Sequence, residues 1–186
     1  SRAAFLLPTF LWRSKEKYVR RRAHIPARSA CQTKSASYHP NSNMNPRPLD
    51  GITVISLEHA IAAPFASRQL ADLGARVIKV ERPGAGDFAR AYDTRVKGEA
   101  SHFIWTNRSK ESLTLDLKHP DALAVLMDLL TDADVLPQNL APGAAALMGI
   151  SWEALHAKHP KLIVCDISGY GADGPYRDKK AYDLLM

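Results

Sequence analysis

Cysteine is almost absent from this chain: Cys31 and Cys165 are the only two in 186 residues. Two thiols so differently placed make no disulfide framework, and a reduced, intracellular compartment is the expectation. Long apolar runs are lacking as well. The longest near the start, Phe5 to Trp12, contains Pro8 and Thr9 and falls far short of the ~20 residues of a membrane span. No transmembrane helix is expected. The G-x-S-x-G elbow of a serine hydrolase is missing. So is any metal-ligand spacing, since His102, His119, His156 and His159 fall into no register with cysteine or carboxylate. Gly84 and Gly86 follow a predicted strand, but the third glycine and opening helix of a dinucleotide fingerprint are absent, which argues against a nicotinamide site.

Charge is present but unevenly spread. The net +6 suggests nucleic acid until it is mapped along the chain: residues 1–45 carry nine Lys/Arg against the single acid Glu16, and residues 46–186 carry sixteen against eighteen Asp/Glu. A phosphate-tracking groove needs its cations on the folded body, so no nucleic-acid partner is expected. The leader, 1–45, is rich in Arg, Ser and Ala, with Arg20, Arg21, Arg22 and Arg28 ahead of Ser29, Ser35 and Ser37. That composition reads as a mitochondrial transit peptide. The alternatives are a disordered extension, or upstream sequence before a true start at Met44, which would leave the protein cytoplasmic. The chain opens on Ser1 and closes on the uncapped apolar run Leu184, Leu185, Met186, so both ends are read as incomplete.

The body, 46–186, is punctuated regularly. Ile52 to Leu57 has the length and β-branching of a strand. A helix follows with Pro64 in its first turn, Phe65, Leu70 and Leu73 spaced along one face, and Gly74 at its end. Arg76 to Glu81 is a second strand, which completes a βαβ unit with parallel strands. The pattern recurs: strand Leu113 to Leu117, helix Pro120 to Leu130, strand Asp134 to Leu136, short helix Pro142 to Met148 closed by Gly149, helix Trp152 to Lys158 capped by Ser151, and buried strand Leu162 to Ile167. Gly84 to Ser101 reads as one long charged loop. The alternation predicts an α/β fold with a mostly parallel sheet.

Ligands of open parallel sheets sit beyond the carboxyl ends of the strands. Four such junctions carry polar residues: Glu58, His59, Ala60, Ile61 and Ala62; Glu81 to Asp87; Gln138, Asn139 and Leu140; and Ser168 to Pro175. Taken singly, each is weak. His59 suits a hydrogen-bonded structural histidine as well as a catalytic one, and Asn139 and Asp173 suit turns.

Together the blocks PLDGITVISLEHAIAAPFASRQLADLGARVIKVERPGAGDFAR, NRSKESLTLDLK, QNLAPGAAALMG and ISGYGADGPYRDKKAYD resemble the N-terminal segment of the family III CoA-transferases, with α-methylacyl-CoA racemase as a branch. The resemblance implies a Rossmann-like CoA-binding domain truncated on its C-terminal side, and an interlocked homodimer for the full-length protein. It also implies acyl-CoA and a small carboxylic acid as substrates, with no permanently bound cofactor. It places the thioester end of CoA near His59, Ala60 and Ala62, and the nucleotide near Arg82, Leu115, Lys118, Asn139, Leu140 and Lys180. Arg and Lys suit phosphates, while Leu115 and Leu140 suit an apolar wall. Lys118 alternatively reads as a solvated residue before Pro120, and Lys179 with Lys180 as a charged loop. Leu147 departs from the family, some members of which carry arginine there.

In the family an aspartate carboxylate attacks the donor thioester, and an aspartyl-CoA intermediate passes CoA to the incoming acid, the splitting of one displacement into easier ones. The resemblance puts that aspartate about 30 residues beyond the position of Tyr182, so this fragment is expected to be inactive by itself. Asp183 is not that nucleophile; it reads as a helix start. Racemases carry histidine where this chain has Tyr182, a poor proton shuttle with its reference pKa near 10. Transfer is thus favoured over racemisation, with a dicarboxylate such as succinate, glutarate or itaconate as acceptor. A racemase and a non-catalytic CoA-binding fragment are the alternatives.

Overall fold

In the computed structural model, which describes residues 46–171, 173–179 and 181, the strands are β1 (Thr53–Ser56), β2 (Arg76–Glu81), β3 (Lys110–Thr114), β4 (Val135–Gln138) and β5 (Ile163–Asp166). The helices are α1 (Ala62–Asp72), α2 (Ser101–Asn107), α3 (Pro120–Thr131), α4 (Ala144–Leu147) and α5 (Trp152–Lys158). The basic leader, Ala172, Lys180 and residues 182–186, with Tyr182 and Asp183 among them, lie outside the described residues.

All strand pairs are parallel and the sheet order is β3-β2-β1-β4-β5. This is the doubly wound order expected of a Rossmann-like domain, whose direction of winding reverses between β1 and β4. The sequence itself loosens the sheet there. Pro137 sits inside β4 with no N–H to donate. β1 and β4 are consequently joined by a rung at Val54 and Val135 and then only by an isolated bridge from Leu57 to Gln138.

The two faces of the sheet differ in chemistry. On one, Ile55, Leu57, Ile78, Val80 and Leu136 pack against Leu126 and Leu130 of α3 and Leu155 of α5 in the main apolar core. Full burial of each such side chain contributes ~1.5–3 kcal/mol. α3 begins with Pro120 at its first position and a cap from His119, whose Nδ1 accepts from the Asp121 N–H at 3.2 Å. Ser151 caps α5 as expected, accepting from the Ala154 N–H.

The opposite face is covered by α1 and α2. Its apolar part is small, with Val54 and Val77 against Ala71 and Ala75, and the rest is polar. Here the expected apolar stripe of α1 is corrected: Phe65 and Leu73 are exposed, and the buried residues are Ala63, Pro64, Ser67, Arg68 and Ala71. Small side chains let the helix lie close to the sheet; Ser67 donates to Glu58 beneath it, while Arg68 pairs with Asp72 one turn on in the same helix and lies over the rings of Phe65 and Trp105. Gly74, at φ +116°, ends α1 as expected.

Three other expectations are corrected. β3 starts at Lys110 and not at Leu113, because Lys110 and Ser112 point into the polar face, where apolar alternation cannot reveal them. The stretch Gly84 to Ser101 is not one structureless loop. It contains a 3-10 turn, Phe88–Ala91, capped by Asp87, and α2 begins at its end with Asp93 accepting from the Ser101 N–H and Oγ. β5 is not buried: Ile163 is 63% exposed and Cys165 lies on the surface. Among the described residues it is an edge strand, and only the side bearing Leu162 and Val164 packs on the core.

Candidate active-site edge

Expected site residues from four junctions fall at the carboxyl edge of the sheet. Two of them are joined directly. The His59 N–H donates to Asn139 Oδ1 at 2.9 Å, and Asn139 Nδ2 donates to the His59 carbonyl at 2.8 Å. This reciprocal pair ties the exits of β1 and β4 together across the reversal point of the sheet, where a crevice for ligand forms in folds of this order. Asn139 is therefore a strut between two strands as well as a junction residue. The His59 ring leans on Phe88, with centroids 5.1 Å apart. Burial pushes its imidazole below the ordinary value; Asp87 opposes this, while Lys79 and Arg82 reinforce it.

Ala60, the next residue, has φ +62°, a left-handed conformation that costs ~1 kcal/mol for a residue with a Cβ. Its N–H donates to Asp87 Oδ1 at 3.0 Å. Ala62 opens α1 and is exposed. Arg82 extends from the end of β2, exposed, with Nε on the Gly86 carbonyl at 2.9 Å. Leu115 and Leu140 lie just past β3 and β4, half-buried against the main core. Lys118 is exposed in the turn after β3, where its N–H donates to Asp116 Oδ1. Lys180 lies outside the described residues, and Leu147 is 91% exposed on α4.

Beneath this edge, on the polar face, lies a network that periodicity did not single out. Lys79, in mid-strand, donates to Asp87 Oδ2 at 2.6 Å and to Asn107 Oδ1 at 2.8 Å. Lys110 donates to Glu58 Oε1 at 2.6 Å and to the Pro64 carbonyl at 2.8 Å, and Ser67 Oγ donates to Glu58 Oε2 at 2.5 Å. The side chains of Lys79, Lys110, Glu58 and Asp87 are each 2% exposed or less. Buried charges persist only when paired and hydrogen-bonded, and here two ammonium groups meet two carboxylates. Burial pushes the Lys110 ammonium down to about 8, outweighing the attraction of Glu58.

A second cluster supports the same segment. Arg90 forks onto Glu81 at 2.7 and 2.9 Å, Ser112 Oγ donates to Glu81 Oε1, and the Asp87 N–H donates to Glu81 Oε2 at 2.9 Å. Burial alone would raise the Glu81 carboxyl; Arg90 and the Asp87 N–H overcome it and hold it at about 2. Gly86, at φ +62°, is required between them, since a Cβ there would meet Glu81 Oε2 at 2.7 Å. One sequence signal pointed at this arrangement: in RVIKVE the charges of Lys79 and Glu81 share parity with Val77, inside a strand whose two faces are both covered.

Comparison with known proteins gives this edge a context. The model of the CoA-transferase family III matches residues 49–186. Human succinyl-CoA:glutarate CoA-transferase is 39% identical over 148 residues, covering 78% of this chain and 34% of its own length. The succinyl-CoA–D-citramalate CoA-transferase of Chloroflexus aurantiacus is 42% identical over 146 residues, covering 78% and 36%. The crystal structure of a CaiB/BaiF family protein from Brucella suis superimposes with TM-score 0.70 at 36% identity, over 76% of this chain and 38% of that one. The chain thus spans about a third of the length of the curated relatives it matches.

Proposed function

Because the chain belongs to the CoA-transferase family III, we propose that it is the CoA-binding portion of an enzyme moving CoA between an acyl-CoA and a small dicarboxylic acid. The observation that carries this reading is the reciprocal His59–Asn139 pair, which joins the exits of β1 and β4 at the point where the winding of the sheet reverses, within a family match over residues 49–186. His59, Ala60 and Ala62 line the thioester end, with the first turn of α1 beside them. Arg82, Lys118 and Lys180 carry the charge for the phosphates, and Leu115 and Leu140 form the apolar wall. Asn139, assigned to the nucleotide side by the resemblance, is bonded directly to His59 and so serves the thioester turn instead.

Transfer proceeds through an aspartyl-CoA intermediate on a carboxylate outside this chain. Relatives named for succinyl-CoA, glutarate and D-citramalate support a dicarboxylate acceptor. Tyr182, in place of the histidine a racemase carries there, supports transfer over racemisation. The full-length protein works as a homodimer, and the Arg- and Ser-rich leader supports a mitochondrial location, or a cytoplasmic one when Met44 is the start.

The test is a transfer assay of the full-length protein with succinyl-CoA and a panel of dicarboxylates, read by mass spectrometry of the CoA esters. Formation of a new dicarboxylyl-CoA with matching release of succinate is the expected result. Incorporation of deuterium at the α-carbon of a 2-methylacyl-CoA without any transfer would make the protein a racemase.

A further inference from the structure

The turn after β1 is held in a conformation that its own sequence disfavours. Ala60 stands at φ +62°, where glycine would be at ease and alanine is not. Three hydrogen bonds keep it there: two between Asn139 and His59, and one from the Ala60 N–H to Asp87 Oδ1 at 3.0 Å. Asp87 is itself unable to swing away. Its Oδ1 also accepts from the Ala89 N–H at 2.9 Å, its Oδ2 takes the Lys79 ammonium at 2.6 Å, and its own N–H is bound by Glu81. Asp87 is 2% exposed and Lys79 1%.

Closing a surface turn does not require this. A main-chain carbonyl or water satisfies one N–H at little cost, whereas two buried ions must recover several kcal/mol of desolvation through good geometry. What such a device supplies is rigidity, in a turn lying at the sheet's reversal point, where a ligand approaches. We propose that Asp87, braced by Lys79, is a positioning residue for the transfer reaction, fixing the His59–Ala60 turn against the acyl thioester of the bound CoA ester. This rests on the reading that the turn receives the thioester end. Asp87 acts through Ala60 and touches no substrate. A misplacement of about 1 Å at such a point lowers a rate on the order of 100-fold.

The experiment uses the full-length protein, steady-state transfer from succinyl-CoA, and calorimetric titration with free CoA to count and grade sites. In Asp87→Ala, kcat per CoA site falls at least about 10-fold while the CoA Kd moves less than about threefold, because the distant nucleotide contacts persist. Adding Ala60→Gly to that variant restores kcat at least about threefold, since glycine adopts the left-handed conformation without the clamp. Asp87→Asn, which keeps an oxygen for Ala60 but no charge for Lys79, lies between wild type and Asp87→Ala. It also answers alone if the alanine variant does not fold, with wild-type kcat in it overturning the proposal. A parallel loss of kcat and CoA affinity without rescue by glycine would reduce Asp87 to a structural residue. Wild-type protein that binds CoA but transfers nothing removes the parent reading, and the proposal with it, whatever the variants do.

Discussion

The two faces of one five-stranded sheet are built on opposite principles. One is a leucine-rich core under α3 and α5; the other, under α1 and α2, buries Lys79, Lys110, Glu58, Asp87 and Glu81. The difference teaches a division of labour. The apolar face gains stability from every methylene removed from water and tolerates some repacking. The polar face gains little net stability from its ion pairs, yet fixes the directions of the chain at the exits of β1 and β2, where the substrate ester is expected. Damage to the first face should show in stability, and damage to the second in stability and rate together.

The largest effect tests that contrast directly. Lys79→Met leaves Asp87 buried without its counter-ion, and a loss of ~3–5 kcal/mol is expected in urea titration of the full-length protein, with kcat per folded molecule reduced as well. Unchanged kcat would erase the distinction between the faces. Leu126→Ala, fully buried on the other side, should cost ~2–5 kcal/mol and leave kcat per folded molecule unchanged. A loss of rate there would mean that the site depends on the whole core.

Gly86→Ala brings a Cβ to 2.7 Å from Glu81 at φ +62°. About 2 kcal/mol of destabilisation is expected from the left-handed strain and the displaced carboxylate, measured again by denaturant titration. A smaller effect is pH-dependent. The Glu81 carboxyl, held at about 2 in the folded protein, contributes stability that is fully present above the ordinary glutamate value. That contribution disappears as pH falls through about 2. Glu81→Gln should flatten this acid limb of the melting-temperature profile, and an unchanged limb would assign it to other carboxylates. The smallest effect belongs to the exposed Arg76–Glu111 pair on the apolar face, where Glu111→Gln should change stability by less than about 1 kcal/mol.

Much of this architecture is legible in the sequence. Alternating strand and helix signals, Pro120 and Ser151 at helix starts and Gly74 at a helix end yield the α/β class, the helix order and four of the five strands close to their places. The edge position of the candidate residues follows from the class for His59, Arg82 and Asn139, which are read off the strand exits, while Leu115 comes from the family resemblance alone. β3 lies earlier in the chain than apolar alternation predicts because its first and third residues, Lys110 and Ser112, bond to Glu58 and Glu81 on the polar face. α2 leaves no periodic signal in the sequence, because of its seven residues only Thr106 is fully buried and no apolar stripe forms.

What the sequence determines by itself is what travels in local patterns: periodicity, caps, turn residues, and the ordered blocks that carry the family. The tertiary structure alone decides which charges meet. Lys79 and Asp87 stand eight positions apart, Glu58 and Lys110 fifty-two, and His59 and Asn139 eighty. Nothing local distinguishes a lysine destined for solvent from one destined for a buried carboxylate. That outcome depends on the parallel register, which sets Lys79 beside Ser56 and Ser112 on one face, and on helices that then close over them and exclude water.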